Sequence, residues 1–330
     1  VTRTRPLTPS PPDRLDPQIR KVLHVQTPLP HLQGASARRR STARGTRRRR
    51  TRTGRAHRSP APAPLFQPGS GGNGNTTPVA DTPRLASVDN FRDVAGTGAG
   101  YPAAHGENVN KGVFYRSNAI VPNDADLATL AGLSLTTAYD LRGPDEITQK
   151  QDKLPAGVKY VNIPVIAGNI DEFIAKIHTP EDARAAMQDG NRKNVTGATE
   201  RAGYAKLLTG LTNTGGAQVF HCSAGKDRTG WATYLLLSIA GVAPTTIMDD
   251  YLLTNEYTKD SMIKTLAYIQ QSQGEAAAAK WEPVLGVDKS YLQAGIDQLA
   301  ADYGTVDKYL ADGLGLSPDT INKLRVKLTR

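Results

Sequence analysis

Cysteine is nearly missing from this chain, with one in 330 residues, at position 222. A single thiol excludes an internal disulfide, and with it any reading of compartment from bridges. It also excludes a zinc site built on several thiolates. Histidine is sparse too, six in all, and no two stand at i, i+4 beside a glutamate, so a helical zinc motif is absent. No run of about eighteen or more apolar residues appears, so no membrane-spanning helix is expected. Acid is scarce at one end only. Residues 1–80 hold 16 Lys and Arg against 2 Asp and Glu, or +14, which leaves 25 against 29, or −4, for residues 81–330. A basic tail precedes a mildly acidic body.

The tail, with "ASARRRSTARGTRRRRTRTGRAHRSPAPAP" at its centre, has almost nothing to bury and is expected to be disordered over 1–80. "QPGSGGNGNTTP" continues it as a flexible linker. The arginine run reads as a contact for nucleic acid or an anionic membrane surface, or as a solvated leader with no such role. A secretory signal needs an apolar core of about 7–15 residues behind its basic stretch, and none is written here. An error in the assigned start, upstream of a true signal, is one source of such a segment.

From "LASVDNFRDVAG" onward the pattern turns globular. "GVFYRS" (112–117), "LTTAYDLR" (135–142), "VKYVNIPV" (158–165) and "AQVFHC" (217–222) have the length and composition of strands. Between them lie helical patterns. "NDADLATLAGL" (123–133) has Asn123 as its cap and Leu127, Leu130 and Leu133 at core-facing spacing. "GATERAGYAKLLTGL" (197–211) sets Tyr204, Leu207, Leu208 and Leu211 on one face. Such alternation predicts an α/β domain over 85–330 with a largely parallel sheet flanked by helices. "TGWATYLLLSIAGV" (229–242) reads as a buried helix, followed by helices over 245–257, 260–273, 289–303, 305–313 and 317–328. Gly274 and Pro283 break the stretch 260–287 into a helix pair or lid. Met248, Met262 and Tyr268 read as packing residues, and Tyr204 as core.

The one thiol stands in "HCSAGKDRTG" (221–230), between an apolar strand and an apolar helix. Strand, loop and helix in that order gather the backbone N–H groups of Ser223, Ala224, Gly225 and Lys226 with those of the first helical turn. Unpaired donors and the positive end of the helix dipole then form an anion site. Gly225 and Gly230 permit tight turning and close approach of backbone to ligand. Arg228 can grip two oxygens of a phosphate through its planar fork. The same field favours the thiolate of Cys222, and Thr229 can add a hydroxyl hydrogen bond to the sulfur. A thiolate under a phosphate cradle points to attack on phosphorus with a phosphocysteine intermediate. The leaving oxygen needs a proton, and Asp227 is the nearest carboxyl in sequence. The nucleotide-binding pattern G-x-x-x-x-G-K-[ST] fails here, because Asp227 follows Gly225-Lys226 and Phe220 stands where its first glycine should be.

The loop resembles the signature of the Cys-based phosphatases. The wider chain is similar to the bacterial tyrosine phosphatases of the mycobacterial secreted type B, through "NFRDVAG" (90–96), "YRSN" (115–118), "DLRGPDE" (140–146), "HCSAGKDRTG" and "YLADGLGLSPDTINKLR" (309–325). The resemblance implies a phosphatase fold with no metal or organic cofactor. It implies hydrolysis of phosphotyrosine in proteins, with phosphoserine, phosphothreonine and phosphoinositides as further substrates. Carried over, Cys222 is the nucleophile, Arg228 the phosphate ligand, Lys226 the extra cation of the lipid-phosphatase subgroup and Asp227 the general acid. No "WPD" tripeptide occurs, which agrees with an acid inside the loop. The family also covers its site with a mobile helical lid, here within 255–287.

Outside the loop, Asp140 and Arg142 end a strand, where α/β sheets present ligands. Asp140 is an alternative acid, a salt-bridge partner for Arg228, or half of a structural pair. Arg92 and Asp93 read as a structural ion pair, and His221 as orienting the loop through hydrogen bonds to backbone. The competing functional class is a catalytically silent phosphate-binding module directed to anionic surfaces by its arginine tail. A nucleic-acid role for the folded part is not expected, since the basic charge lies outside it. Resemblance favours export or the cell envelope, whereas the missing apolar signal core favours the cytoplasm.

Overall fold

Five short strands pair in the order β1-β2-β5-β3-β4 in a computed structural model that describes residues 80–165 and 170–329. The readings made for the basic tail lie outside these residues, save for residue 80. The strands are β1 (Arg92–Asp93), β2 (Phe114–Ser117), β3 (Leu135–Asp140), β4 (Lys159–Asn162) and β5 (Ala217–His221). All pairings are parallel except the edge pair β1–β2. The four central sequence patterns are therefore strands; β1 is too short to show a periodicity. Apolar runs such as "VF" in β5 suit a strand covered on both faces. Val219 and Phe220 are fully buried.

The helices follow as α1 (Asp124–Gly132), α2 (Pro144–Gln149), α3 (Ile170–Ala175), α4 (Pro180–Thr196), α5 (Ala198–Asn213) and α6 (Asp227–Ile239). Then come α7 (Pro244–Tyr257), α8 (Lys259–Gln273), α9 (Glu275–Leu285), α10 (Lys289–Tyr303), α11 (Val306–Lys308) and α12 (Pro318–Thr329). Asn123 caps α1 by accepting from the Asp126 N–H, as its position predicts. Leu130 is fully buried, while Leu127 and Leu133 are half-buried. α6 is buried around nearly its whole circumference and runs through the main core, where its Trp231, Leu235, Leu236 and Leu237 join Tyr204, Leu207 and Leu208 of α5 in one cluster.

Some expectations need correction. Gly274, at φ +90, does separate α8 from α9, but Pro283 lies inside α9 without breaking it. The ring removes one N–H and leaves the carbonyl of Ala279 without its helical donor, and the helix runs only two residues further, to Leu285. The stretch 305–313 is helical as expected, α11 running without a break into a π-helical turn over Tyr309–Gly313. Tyr268 is 38 % exposed, whereas Met248 is buried. α4 escaped the sequence reading because only Ala183, Met187, Asn191, Asn194 and Val195 of its seventeen residues are buried.

α8 and α9 belong to a second apolar cluster rather than the main core. Trp281, Val284 and Leu285 of α9 pack with Ala183 and Met187 of α4 and Tyr291 of α10. α8 contributes one fully buried side chain, Ile269. The helix pair thus rests on a patch of its own, next to the C-terminal ends of the parallel strands.

Candidate active site

β5 delivers the chain at His221 into the centre of the sheet, and α6 begins six residues later at Asp227. Lys226 occupies the N-cap position without a side-chain hydrogen bond to the helix, so no side chain among the described residues caps its first turn. Among the described residues, no acceptor takes the backbone N–H groups of Ser223 to Arg228. Such donors are expensive to bury unless a ligand or water takes them. The carbonyls of the same loop are engaged. Ser223 O accepts from Ala119 N at 3.2 Å, and Gly225 O from Asn90 Nδ2 at 2.7 Å and Arg116 Nη2 at 2.9 Å. Gly225 has φ +69, and a Cβ there would stand 2.3 Å from Ser117 O, so the tight turn requires glycine. Gly230 has a different reason: it lies within α6, where a Cβ would meet the Tyr251 ring at 3.0 Å.

Cys222 is 3 % exposed, and Thr229 Oγ1 donates to its sulfur at 3.2 Å. Ala224 is half-buried and marks where the loop nears the surface. Arg228 closes the other side. Its Nη1 and Nη2 donate to Glu146 Oε2 and Oε1 at 2.9 and 2.6 Å, and Nη1 also reaches Leu141 O at 3.3 Å. Glu146 further accepts from Gly143 N at 2.9 Å and from Ser223 Oγ. Burial alone would raise the Glu146 carboxyl, but the Arg228 charge and these bonds outweigh it and hold it below its usual range. Asp140 is therefore not the partner of Arg228. It binds Arg142 Nε at 2.9 Å and Nη2 at 2.8 Å, with Tyr160 OH at 2.8 Å. Burial opposes its ionisation, yet His221 and Arg142 carry its carboxyl well below the ordinary range. An acid so firmly ionised is a poor proton donor.

His221 is fully buried, with Nε2 at ion-pair distance, 3.2 Å, from Asp152 Oδ2 and Nδ1 3.9 Å from Asp140 Oδ1. A single contact to backbone, 3.3 Å to Cys222 O, accompanies them, so carboxylates more than backbone surround this ring. Burial pulls its basicity down, while Asp140 and Asp152 more than restore it. Asp140, Asp152 and His221 are close enough together to hold a metal ion. Arg142 Nη2 already lies 2.8 Å from both carboxylates, and a guanidinium there supplies the positive charge that a metal would bring.

Lys226 differs most from expectation. Its ammonium is not aimed at the cradle: it donates to Val284 O and, at 3.0 Å, to Gly286 O, where α9 ends. Carbonyls at a helix C-terminus attract a cation, which explains the direction taken. Burial makes its charge costlier, opposed by Asp227, 3.7 Å away, and by Cys222. Asp227 is 6 % exposed, and its Oδ1 has no hydrogen-bond partner among the described residues. Arg92 and Asp93 do not pair with each other. Arg92 Nε binds Asp250 Oδ1 at 3.2 Å, and Asp93 caps the Ala95 and Gly112 N–H groups at 2.8 and 2.6 Å.

Residues 83–330, three-quarters of the chain, match the family described as "Tyrosine phosphatase family". The chain belongs to that family. A protein of Cupriavidus necator named as a tyrosine-protein phosphatase is 32% identical over 235 residues, covering 69% of this chain and 82% of that one. The triple specificity protein phosphatase PtpB of Mycobacterium tuberculosis is 27% identical over 276 residues, 73% of this chain and 96% of its own. The crystal structure of P. aeruginosa TpbA is 17% identical over 57% of this chain and 86% of that one, with a TM-score of 0.24, too low to bear on the fold. As a tyrosine phosphatase, the chain needs a site for an anion, and the loop after β5 sets unpaired N–H donors beside a thiol. Sequence reasoning missed Glu146, Asp152, Arg116 and Asp250. Glu146 and Arg116 stood within the quoted motifs "DLRGPDE" and "YRSN", but nothing local showed what they would bind.

Proposed function

We propose that the chain hydrolyses phosphotyrosine in proteins through a phosphocysteine on Cys222. The observation that supports this most directly is the run of unpaired N–H groups from Ser223 to Arg228 beside a buried thiol. The phosphate oxygens take those donors and the outer edge of the Arg228 guanidinium, whose inner edge is fixed by Glu146. Cys222 Sγ forms a bond to phosphorus as the P–O bond to the tyrosine breaks. Asp227 gives its proton to the leaving phenolate. Water then attacks phosphorus, the S–P bond breaks, inorganic phosphate leaves, and Asp227 recovers a proton from the water. Asp227 suits this exchange better than Asp140, because its Oδ1 is uncommitted while every oxygen of Asp140 is held.

Depth supports tyrosine as the preferred carrier. A thiol 3 % exposed is reached more easily by a phosphate on a long, flat ring than by one on a short hydroxymethyl arm. Phosphoserine, phosphothreonine and phosphoinositides are then slower substrates. In the conformation described, Lys226 is spent on α9 and does not add an anchor for a second phosphate.

Cys222→Ser should abolish turnover of p-nitrophenyl phosphate while tungstate still binds within a few-fold of its original affinity, because the cradle is backbone plus Arg228. Rapid acid quench of the wild-type reaction with labelled substrate should leave phosphorus on a peptide containing Cys222. Turnover by the serine variant near the wild-type rate would remove Cys222 from the reaction. A panel of phosphotyrosine, phosphoserine and phosphothreonine peptides and phosphoinositides tests the ranking.

A further inference from the structure

We propose that Arg116 is a positioning residue for phosphoryl transfer, turning the Gly225–Lys226 peptide so that its N–H faces the phosphate and setting an uncancelled positive charge behind Cys222. The inference rests on the reading of Cys222 as nucleophile. Arg116 lies on β2, directly beside β5, opposite Phe220 and one position before the Ser117–His221 pair. Its side chain is fully buried and runs beneath the loop, with Nη2 2.9 Å from Gly225 O and 3.8 Å from where a Cβ of Gly230 would stand. In a trans peptide, the carbonyl and the following N–H point to opposite sides. Holding Gly225 O from below, with help from Asn90 Nδ2 at 2.7 Å, therefore turns the Lys226 N–H upward.

The charge argument is independent of that one. Arg116 Nη1 binds Asp250 Oδ2 at 2.9 Å, and Arg92 Nε binds the other oxygen at 3.2 Å. All three side chains are buried, so two guanidinium groups share one carboxylate, with Tyr101 OH as a neutral donor 3.2 Å from Asp250 Oδ1. The other charged groups around Cys222 are matched. With Asp227 counted as a carboxylate, before it takes up the proton it delivers, Lys226 faces Asp227, Arg228 faces Glu146, and Arg142 and His221 share Asp140 and Asp152. Tyr204 and Tyr251 are buried and stay neutral, and Asp93 is turned toward the Ala95 and Gly112 N–H groups. One positive charge is left over, and a thiolate at Cys222 balances it. Burial and the Arg92 charge pull Arg116 down to about 10, against Asp250 and Cys222, so it stays a cation at neutral pH.

The test uses purified full-length protein whose folding is verified by circular dichroism. It follows the pH profile of Cys222 alkylation by iodoacetamide, with kcat and KM for p-nitrophenyl phosphate. In Arg116→Met, half-maximal alkylation should move up by about one pH unit, and kcat should fall far more than KM rises. Arg116→Lys should restore much of the profile but little of kcat, because one ammonium cannot hold both Asp250 and Gly225 O as the fork does. Asp250→Asn adds to the excess charge and should move the profile down, while Arg92→Met removes the excess and should move it up. Should Arg116→Met fail to fold, the opposite shifts of those two variants carry the test. Profiles that stay at the wild-type position, or that move the same way in both, overturn the proposal. If Cys222→Ser keeps its turnover, the nucleophile reading fails instead, and the two failures are told apart.

Discussion

Glu146 is the residue whose replacement asks most of the site. Its two oxygens take both terminal nitrogens of Arg228, the Gly143 N–H and the Ser223 hydroxyl, and both side chains of the ion pair are almost wholly buried. Glu146→Gln keeps the shape but removes the charge and replaces one acceptor oxygen with an NH2 donor. Whichever way the amide turns, its NH2 is set against an Arg228 N–H, and in one of the two orientations against the Gly143 N–H as well. Breaking a buried pair by removing one charge costs about 3–5 kcal/mol, since the remaining ion stays desolvated. For a domain of this size, roughly 2–4 °C of Tm follows each kcal/mol. Glu146→Gln should therefore lower Tm by roughly 6–20 °C.

Activity should fall as well, because a guanidinium that has lost its fixed edge is displaced from the phosphate, and a 1 Å misplacement costs about 10²-fold. The pH dependence gives a second handle. Glu146 is held below its ordinary value in the folded chain, so its stabilisation is present above the unfolded value near ~4.3 and is lost as pH falls through the folded one. The gap in Tm between wild type and Glu146→Gln should be full at pH 7 and shrink in acid. Thermal denaturation across pH, with p-nitrophenyl phosphate turnover at pH 6, measures both. A variant with wild-type Tm and kcat/KM would refute the argument that Arg228 is held by this carboxylate.

Three further outcomes are expected. Gly225→Ala places a Cβ 2.3 Å from Ser117 O at a φ of +69 and should cost about 2–4 kcal/mol in urea denaturation, with turnover lost; a neutral result would mean that the loop relaxes. Asp227→Asn should slow hydrolysis of phenyl phosphate by about 10²–10⁴-fold and that of p-nitrophenyl phosphate much less, because the better leaving group needs less proton; equal losses would move the acid elsewhere. Lys226→Met removes the two bonds to the end of α9 and should speed amide hydrogen exchange over α9 selectively, with exchange in α6 as the internal control; unchanged α9 exchange would show that the contact carries little.

The strand–helix order was legible because it rests on local chemistry. Strand length and composition mark β2 to β5, Asn123 marks the start of α1, and Gly274 marks the joint between α8 and α9. What failed to show locally has a local reason too. β1 has two residues and no period, and α4 has a largely polar sequence in which five buried positions make the packing face. Its start was nevertheless written: Thr179 and Asp182 form a reciprocal cap around Pro180.

The site divides along the same line. The cradle, Cys222, Arg228 and the hydroxyl of Thr229 lie within eight residues, so their mutual geometry is set by one strand, one turn and one helix start. Their counter-charges are far off in sequence. Glu146 stands 82 residues before Arg228, and Asp250 stands 134 after Arg116. A sequence shows that a buried arginine needs a carboxylate but not which one. Asp140, at the end of a strand pointing to the site, was as good a candidate for Arg228 as Glu146. The parallel sheet decides between them: β3 pairs directly with β5, which sets Asp140 opposite His221, and the chain must run on to α2 before a carboxylate can reach the first turn of α6. Distance along the strand end, rather than residue type, separates the carboxylate that serves the histidine from the one that holds Arg228.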